Sequence, residues 1–321
     1  MEPKTPENLE HRTYLIDGYD LNTEGRTGSY VMLGDKLTIV ETSASPSVPY
    51  ILDGLKQLNL DPLDVEYIIV THIHLDHAGG AGLLLNDCPN AKVVVHSRGK
   101  RHLADPSKLI AGARAVYGEK FDGLFNPIVP IPEEKLIVME DGEGLAISDD
   151  CTLTFYDSPG HAKHHFSIFD PVSNGIFAGD TAGIFYHQLL DDGLEFYIPS
   201  TSPNQFDPDA MLNSIEKFEE IGPERIYFGH YGMSENPQEV YKQMRFWIPE
   251  FVEAGESGME KAGSASMEEA TAAVYERLYE KVSSHLTDKG IPESHRVYDL
   301  IKLDLEVSAM GLADYLMKKG K

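Results

Sequence analysis

The chain is poor in cysteine, in basic residues and in long apolar runs, and each shortage excludes something. Its 321 residues include two cysteines, Cys88 and Cys151. Two cannot build a disulfide framework, and no Cys-x-x-Cys pair occurs. Both are expected to be small core residues rather than nucleophiles or metal ligands. Lysine and arginine number 27 against 52 acids, a formal net charge of −25. A surface that negative repels a phosphate backbone, which argues against nucleic acid as substrate or partner. No stretch approaches the ~18 uninterrupted apolar residues of a membrane-spanning helix. The polar N-terminal segment lacks the apolar core of a signal peptide. The expectation is a soluble, cytoplasmic protein with no membrane partner.

What is present is enough for a sizeable core. Hydrophobic residues make up 41% of the chain, and its length suits one large domain or a large and a small one. Short strands are expected at 14–16, 30–33, 37–41, 66–70 and 92–96, alternating with helices such as 48–58, where Ile51, Leu55 and Leu58 share a face. Segment 97–135 reads as helix followed by a proline-crowded loop. Further strands follow at 136–139, 145–147, 153–157, 166–169, 175–178 and 226–228. Asp207 and Pro208 suit a helix start, and Gly222 suits its stop. This alternation argues for an α/β fold.

The pattern changes after Gly232. Val240, Tyr241, Met244 and Trp247 fall at helical spacing. Ser266 and Glu269 form a capping-box pattern ahead of Val274, Leu278, Val282 and Leu286. Another helix is expected from near Pro292 toward Met317. The Gly- and Ser-containing stretch 253–265 reads as a link. The final part of the chain is therefore expected to be all-helical, a second module.

The strongest chemical signal is Thr71-His72-Ile73-His74-Leu75-Asp76-His77, directly after a predicted strand. Histidines packed this densely repel one another when protonated. As neutral imidazoles beside a carboxylate they are good ligands for zinc, iron or manganese. Three more fragments place a ligand type beside glycine, just past an apolar strand or, for His161, a few residues beyond one: Gly160-His161, Gly179-Asp180 and Gly229-His230. Each alone is weak; their order after the histidine string is not.

With these residues in place, positions ~14–235 resemble the metallo-β-lactamase superfamily, in pattern nearest its dinuclear glyoxalase II and lactonase-like hydrolases. The resemblance implies an αββα sandwich, two mixed β-sheets flanked by helices, over 1–235, with 236–321 as an added helical extension. It implies two divalent metal ions, zinc first, with iron or manganese as alternatives. His72, His74 and His161 would hold the first; Asp76, His77 and His230 the second; Asp180 would bridge them. Hydroxide between the metals would attack an ester, thioester or lactone carbonyl, with Asp76 and Asp180 as the catalytic carboxylates. Glu41-Thr42-Ser43 stands where the family often has Asp-Thr-Gly or Asp-Ala-Gly, a supporting turn.

Lys163, His164, His165, Tyr186, His187 and Tyr231 lie near these positions along the chain and are candidates to bind a small-molecule substrate, with packing as the competing reading. His96, at a strand end, is expected to be structural. Among rivals, a true β-lactamase is disfavoured by Asp180 and a tRNA nuclease by the charge. A flavodiiron reductase is disfavoured by His74, where that family has glutamate. A mononuclear iron persulfide dioxygenase-like oxidoreductase stands as the alternative, with a phosphodiesterase behind it. The C-terminal helices read either as a lid or as a homodimer interface.

Overall fold

Runs such as Glu66-Tyr67-Ile68-Ile69 and Lys92-Val93-Val94-Val95 carry almost no polar alternation, the pattern of strands buried on both faces. The computed structural model describes residues 3–263 and 266–319. In its first sheet β1 (Glu7–Asn8), β2 (Thr13–Asp17), β3 (Gly28–Met32), β4 (Leu37–Val40), β5 (Val65–Ile69), β6 (Lys92–His96) and β7 (Leu136–Met139) lie in chain order. β1 to β4 form an antiparallel meander, and β4 to β7 run parallel.

The second sheet starts from the antiparallel strands β8 (Gly144–Ser148), β9 (Cys151–Asp157), β10 (Phe166–Asp170) and β11 (Gly175–Gly179). Next in the chain, β12 (Ile184–Phe185) and β13 (Tyr197–Ile198) pair only with each other. β14 (Arg225–Phe228) then joins the second sheet parallel to β11, and β15 (Met233–Ser234) closes its edge. Both sheets are therefore mixed.

Alternation along each strand sorts the core. Tyr30, Val40, Ile69 and Val94 pack in one cluster with Phe155, Phe166 and Phe177 of the second sheet. Their neighbours Val31, Ile39, Ile68, Val93 and Val95 cluster instead with Ile51 and Leu55 of α1 (Val48–Gln57). The fold is the expected αββα sandwich with a helical C-terminal region.

Two compact units divide the chain. The first holds both sheets and takes in residues through Asp157, His164–Gly179 and Pro223–Asn236. It also carries α2 (Leu75–Ala78), α3 (Ala81–Leu84), α4 (Ser97–Ala104), α5 (Ser107–Tyr117) and α6 (Phe121–Phe125). The second takes Ser158–Lys163, Asp180–Gly222 and the chain from Pro237 on. It contains α7 (Pro208–Ile221), α8 (Pro237–Ala262), α9 (Met267–Asp288) and α10 (Val297–Lys319). Among the described residues no helix is long and apolar enough to cross a membrane.

Local signals behave as their chemistry requires. Asp207 Oδ1 accepts the Ala210 N–H at 3.0 Å and caps α7, and Ser266 with Glu269 forms the capping box of α9. Two expectations are corrected. The stretch 253–262, read as a link, continues α8, with Ala254, Gly255 and Gly258 buried. A side chain at Gly258 would meet Val274 Cα at 2.6 Å, so this glycine serves close helix packing against α9. Ser264 and Ala265 lie outside the described residues. Helix α10 begins at Val297 rather than near Pro292, because His295 N–H bonds back to Pro292 O at 2.8 Å and closes a turn first.

Candidate metal centre

Four strands deliver the polar residues of interest at their C-terminal ends, where α/β sheets commonly bind ligands. Glu41 follows β4, His72 stands three residues past β5, Asp180 follows β11, and His230 stands two past β14. Asp76, His77 and His230 all belong to the first unit. Asp76 Oδ2 lies 3.7 Å from His77 Nε2 and 3.7 Å from His230 Nε2. Donor atoms of these three residues fall within 4.8 Å of one another. Metal bonds of ~2.0–2.2 Å at tetrahedral angles separate donors by ~3.3–3.6 Å. The donor set thus fits a divalent cation in both spacing and chemistry.

The orientation of His77 has a visible cause. Its Nδ1 lies 2.5 Å from Glu41 Oε2, and the other oxygen of Glu41 accepts the Thr71 N–H at 2.6 Å. A carboxylate only accepts, so Nδ1 carries the proton and Nε2 presents its lone pair toward Asp76. Thr42 reinforces the contact, its N–H and hydroxyl both donating to His77 O at 2.9 Å. Glu41 and Ser43 adopt φ of +66° and +53°, left-handed values that are costly for side-chain-bearing residues. Nearby, His72 Nε2 and His74 Nδ1 face each other at 3.0 Å. His230 is braced by Tyr30, whose hydroxyl lies 2.6 Å from Phe228 O and 2.7 Å from Gly232 O.

His161 and Asp180 belong to the second unit. His161 Nδ1 donates to Ser200 O at 2.9 Å, which again leaves Nε2 as the lone-pair nitrogen. That nitrogen lies 3.5 Å from Asp180 Oδ2, and Ser200 Oγ donates to the same oxygen at 3.1 Å. Ser202 Oγ donates to His161 O at 2.7 Å. The pair of donors has the spacing that a single ion would impose on two ligands.

The remaining candidates are distributed as follows. His165 is buried and stacks on His72 with ring centroids 5.0 Å apart, and buried His164 meets His74 edge-on at 5.3 Å. Tyr231 is buried beside His230 in a left-handed conformation, φ +56°, and burial pushes its phenol up. Tyr186 is buried, with its hydroxyl donating to Asp304 Oδ2 at 2.8 Å. His187 is half-buried, 3.0 Å from the Gln188 amide, and Lys163 is exposed. His96 caps α4 by accepting the Arg98 N–H at 3.0 Å, a structural use.

Sequence reasoning overlooks Asp20 and Arg26, a buried ion pair at 3.3 Å in the β2–β3 loop. Burial pushes the Asp20 carboxyl up to about 6. The Arg26 charge opposes the rise, and that of Asp76 adds to it. It also overlooks Ser200 and Ser202. The only signal for either group was a polar residue in a loop, which is too common to read.

The comparisons agree with this architecture. Residues 23–230 match the family model for the metallo-β-lactamase superfamily. A metallo-β-lactamase fold-containing protein of Sulfurisphaera tokodaii is 31% identical over 208 residues, 64% of this chain and 72% of that one. An N-acyl homoserine lactonase of Rhizobium radiobacter is 28% identical over 179 residues, 56% of this chain and 63% of its own length, so less than two thirds of that relative is spanned. A solved archaeal superfamily member from Sulfolobus tokodaii superposes with a TM-score of 0.65 at 22% identity, covering 94% of this chain and 97% of that one. The chain belongs to the metallo-β-lactamase superfamily. Proteins of this superfamily are mostly hydrolases and bind metal ions, typically two zinc.

Proposed function

We infer that the protein is a dinuclear metal-dependent hydrolase acting on an ester, thioester or lactone carbonyl. The reading assigns His72, His74 and His161 to one ion, Asp76, His77 and His230 to the other, and Asp180 to both. Zinc is the first candidate, with iron or manganese behind it. The observation that carries it is the Asp76–His77–His230 group, with donor atoms turned toward one another and His77 held in the required tautomer by Glu41. Family membership supports the remaining assignments.

Two cations held there would polarise a carbonyl oxygen and supply hydroxide near neutral pH. The chain's own residues would do the rest. Asp76, 26% exposed at its side chain, would accept and pass on a proton at its carboxylate. Asp180, 2% exposed, is held by Ser200 so that its oxygens keep a fixed direction. His77 and His230 are buried, so charges held at their donor atoms are weakly screened.

The test pairs elemental analysis of the purified protein with a screen of lactones, thioesters, aryl esters and phosphodiesters. Two metals per chain, with oxygen-independent hydrolysis lost on chelation, is the expected result. One iron per chain with oxygen uptake would overturn it in favour of a dioxygenase.

A further inference from the structure

The segment 200–202 devotes each residue to a different task. Ser200 holds the His161 ring through its carbonyl and the Asp180 carboxylate through its hydroxyl. Ser202 holds the His161 backbone carbonyl. Thr201, between them, turns the other way. Its hydroxyl donates to Ser308 O of α10 at 2.8 Å, deep in the second unit.

Helix α10 is shaped for that contact. A Cβ added at Gly311 would stand 2.2 Å from Thr201 O and 2.8 Å from the Ser202 carbonyl carbon, so only glycine allows the helix this close. The same face continues in both directions. Asp304 accepts from Tyr186, and Asp314 Oδ2 accepts the Asn204 N–H at 3.1 Å. Positions 304, 308 and 311 recur at the helical i, i+4, i+7 spacing, and 314 extends the row. One stripe of α10 thus meets Tyr186 and residues 201–204, and Ser202 there and the adjacent Ser200 hold His161.

We propose that α10 is a positioning element of the metal centre, setting His161 and Asp180 through Thr201 and Gly311. The proposal rests on the metal-binding reading above. It gives the C-terminal extension a task distinct from covering a pocket or pairing two chains. The physical basis is that groups holding a ligand in its direction are often worth 10–100-fold in metal affinity. Neither Thr201 nor Gly311 offers a ligand atom of its own, so both act through Ser200 and Ser202.

The test uses the full chain stripped of metal and titrated with cobalt(II), read by calorimetry and by the visible ligand-field spectrum. Thr201→Val swaps one hydroxyl for a methyl of similar size, and Gly311→Val pushes the helix off the loop. Both should weaken at least one of two cobalt ions about tenfold or more and alter its spectrum, while Thr201→Ser should restore wild-type binding. If Gly311→Val does not fold, Thr201→Val carries the test. Folded Thr201→Val binding two cobalt ions with wild-type affinity and spectrum overturns the proposal alone. A wild-type chain that takes up no cobalt overturns the metal reading, and this inference falls with it.

Discussion

Glu41 and His77, 36 residues apart in the chain and both buried, meet through a 2.5 Å contact between Oε2 and Nδ1. Glu41 accepts two donors at once, the other being the Thr71 N–H. Glutamine has one acceptor oxygen and would turn an NH2 toward one of them. Glu41→Gln should therefore weaken metal binding at Asp76, His77 and His230 by roughly 10–100-fold. Competition against a chromophoric chelator measures this, and unchanged affinity would remove Glu41 from the centre.

Tyr30 tests how the His230 turn is held. Its hydroxyl is the donor that reaches both Phe228 O and Gly232 O. Tyr30→Phe keeps the ring and deprives buried carbonyls of that donor, at a cost of about 1–3 kcal/mol. Urea unfolding of the metal-free protein should show this loss. A stability equal to wild type would mean that the carbonyls find other donors.

Asp180→Ala removes the carboxylate assigned to both ions. Hydrolytic activity should fall by on the order of 100-fold or more, and bound metal should drop below two per chain after dialysis. Normal metal content together with normal turnover would refute the bridging assignment.

Asp20 makes stability depend on pH. Its carboxyl is raised from 3.8 to about 6 in the folded state, mainly by burial. The native chain then binds more protons than the unfolded one between those values, so this group's contribution falls as pH rises from about 4 to 6. The rise corresponds to about 3 kcal/mol, lost above pH 6. Stability curves of metal-free wild type and Asp20→Asn should differ in slope within that window and run parallel above it. Parallel curves throughout would show that Asp20 titrates normally.

Much of the molecule is legible from local chemistry. The His72–His77 string, the glycines before His161, Asp180 and His230, the cap at Asp207 and the capping box at Ser266 are each written within a few residues. So is the double burial of β5 and β6, through their unbroken apolar runs. Where reading by local rule failed, the missing information was a distant partner. Gly255 and Gly258 look like a linker until α10 lies against the first and α9 against the second. Glu41 looks like a departure from the family's usual turn until His77 arrives beside it.

Residue type, periodicity and short-range capping thus determined the fold class and the stock of ligand-type side chains, because these depend on neighbours along the chain. Which nitrogen of His77 or His161 carries its proton, and which helix steadies residues 200–202, were decided only in three dimensions. Those properties are set by single hydrogen bonds between residues dozens to more than a hundred positions apart, and packing alone brings such partners within 3 Å.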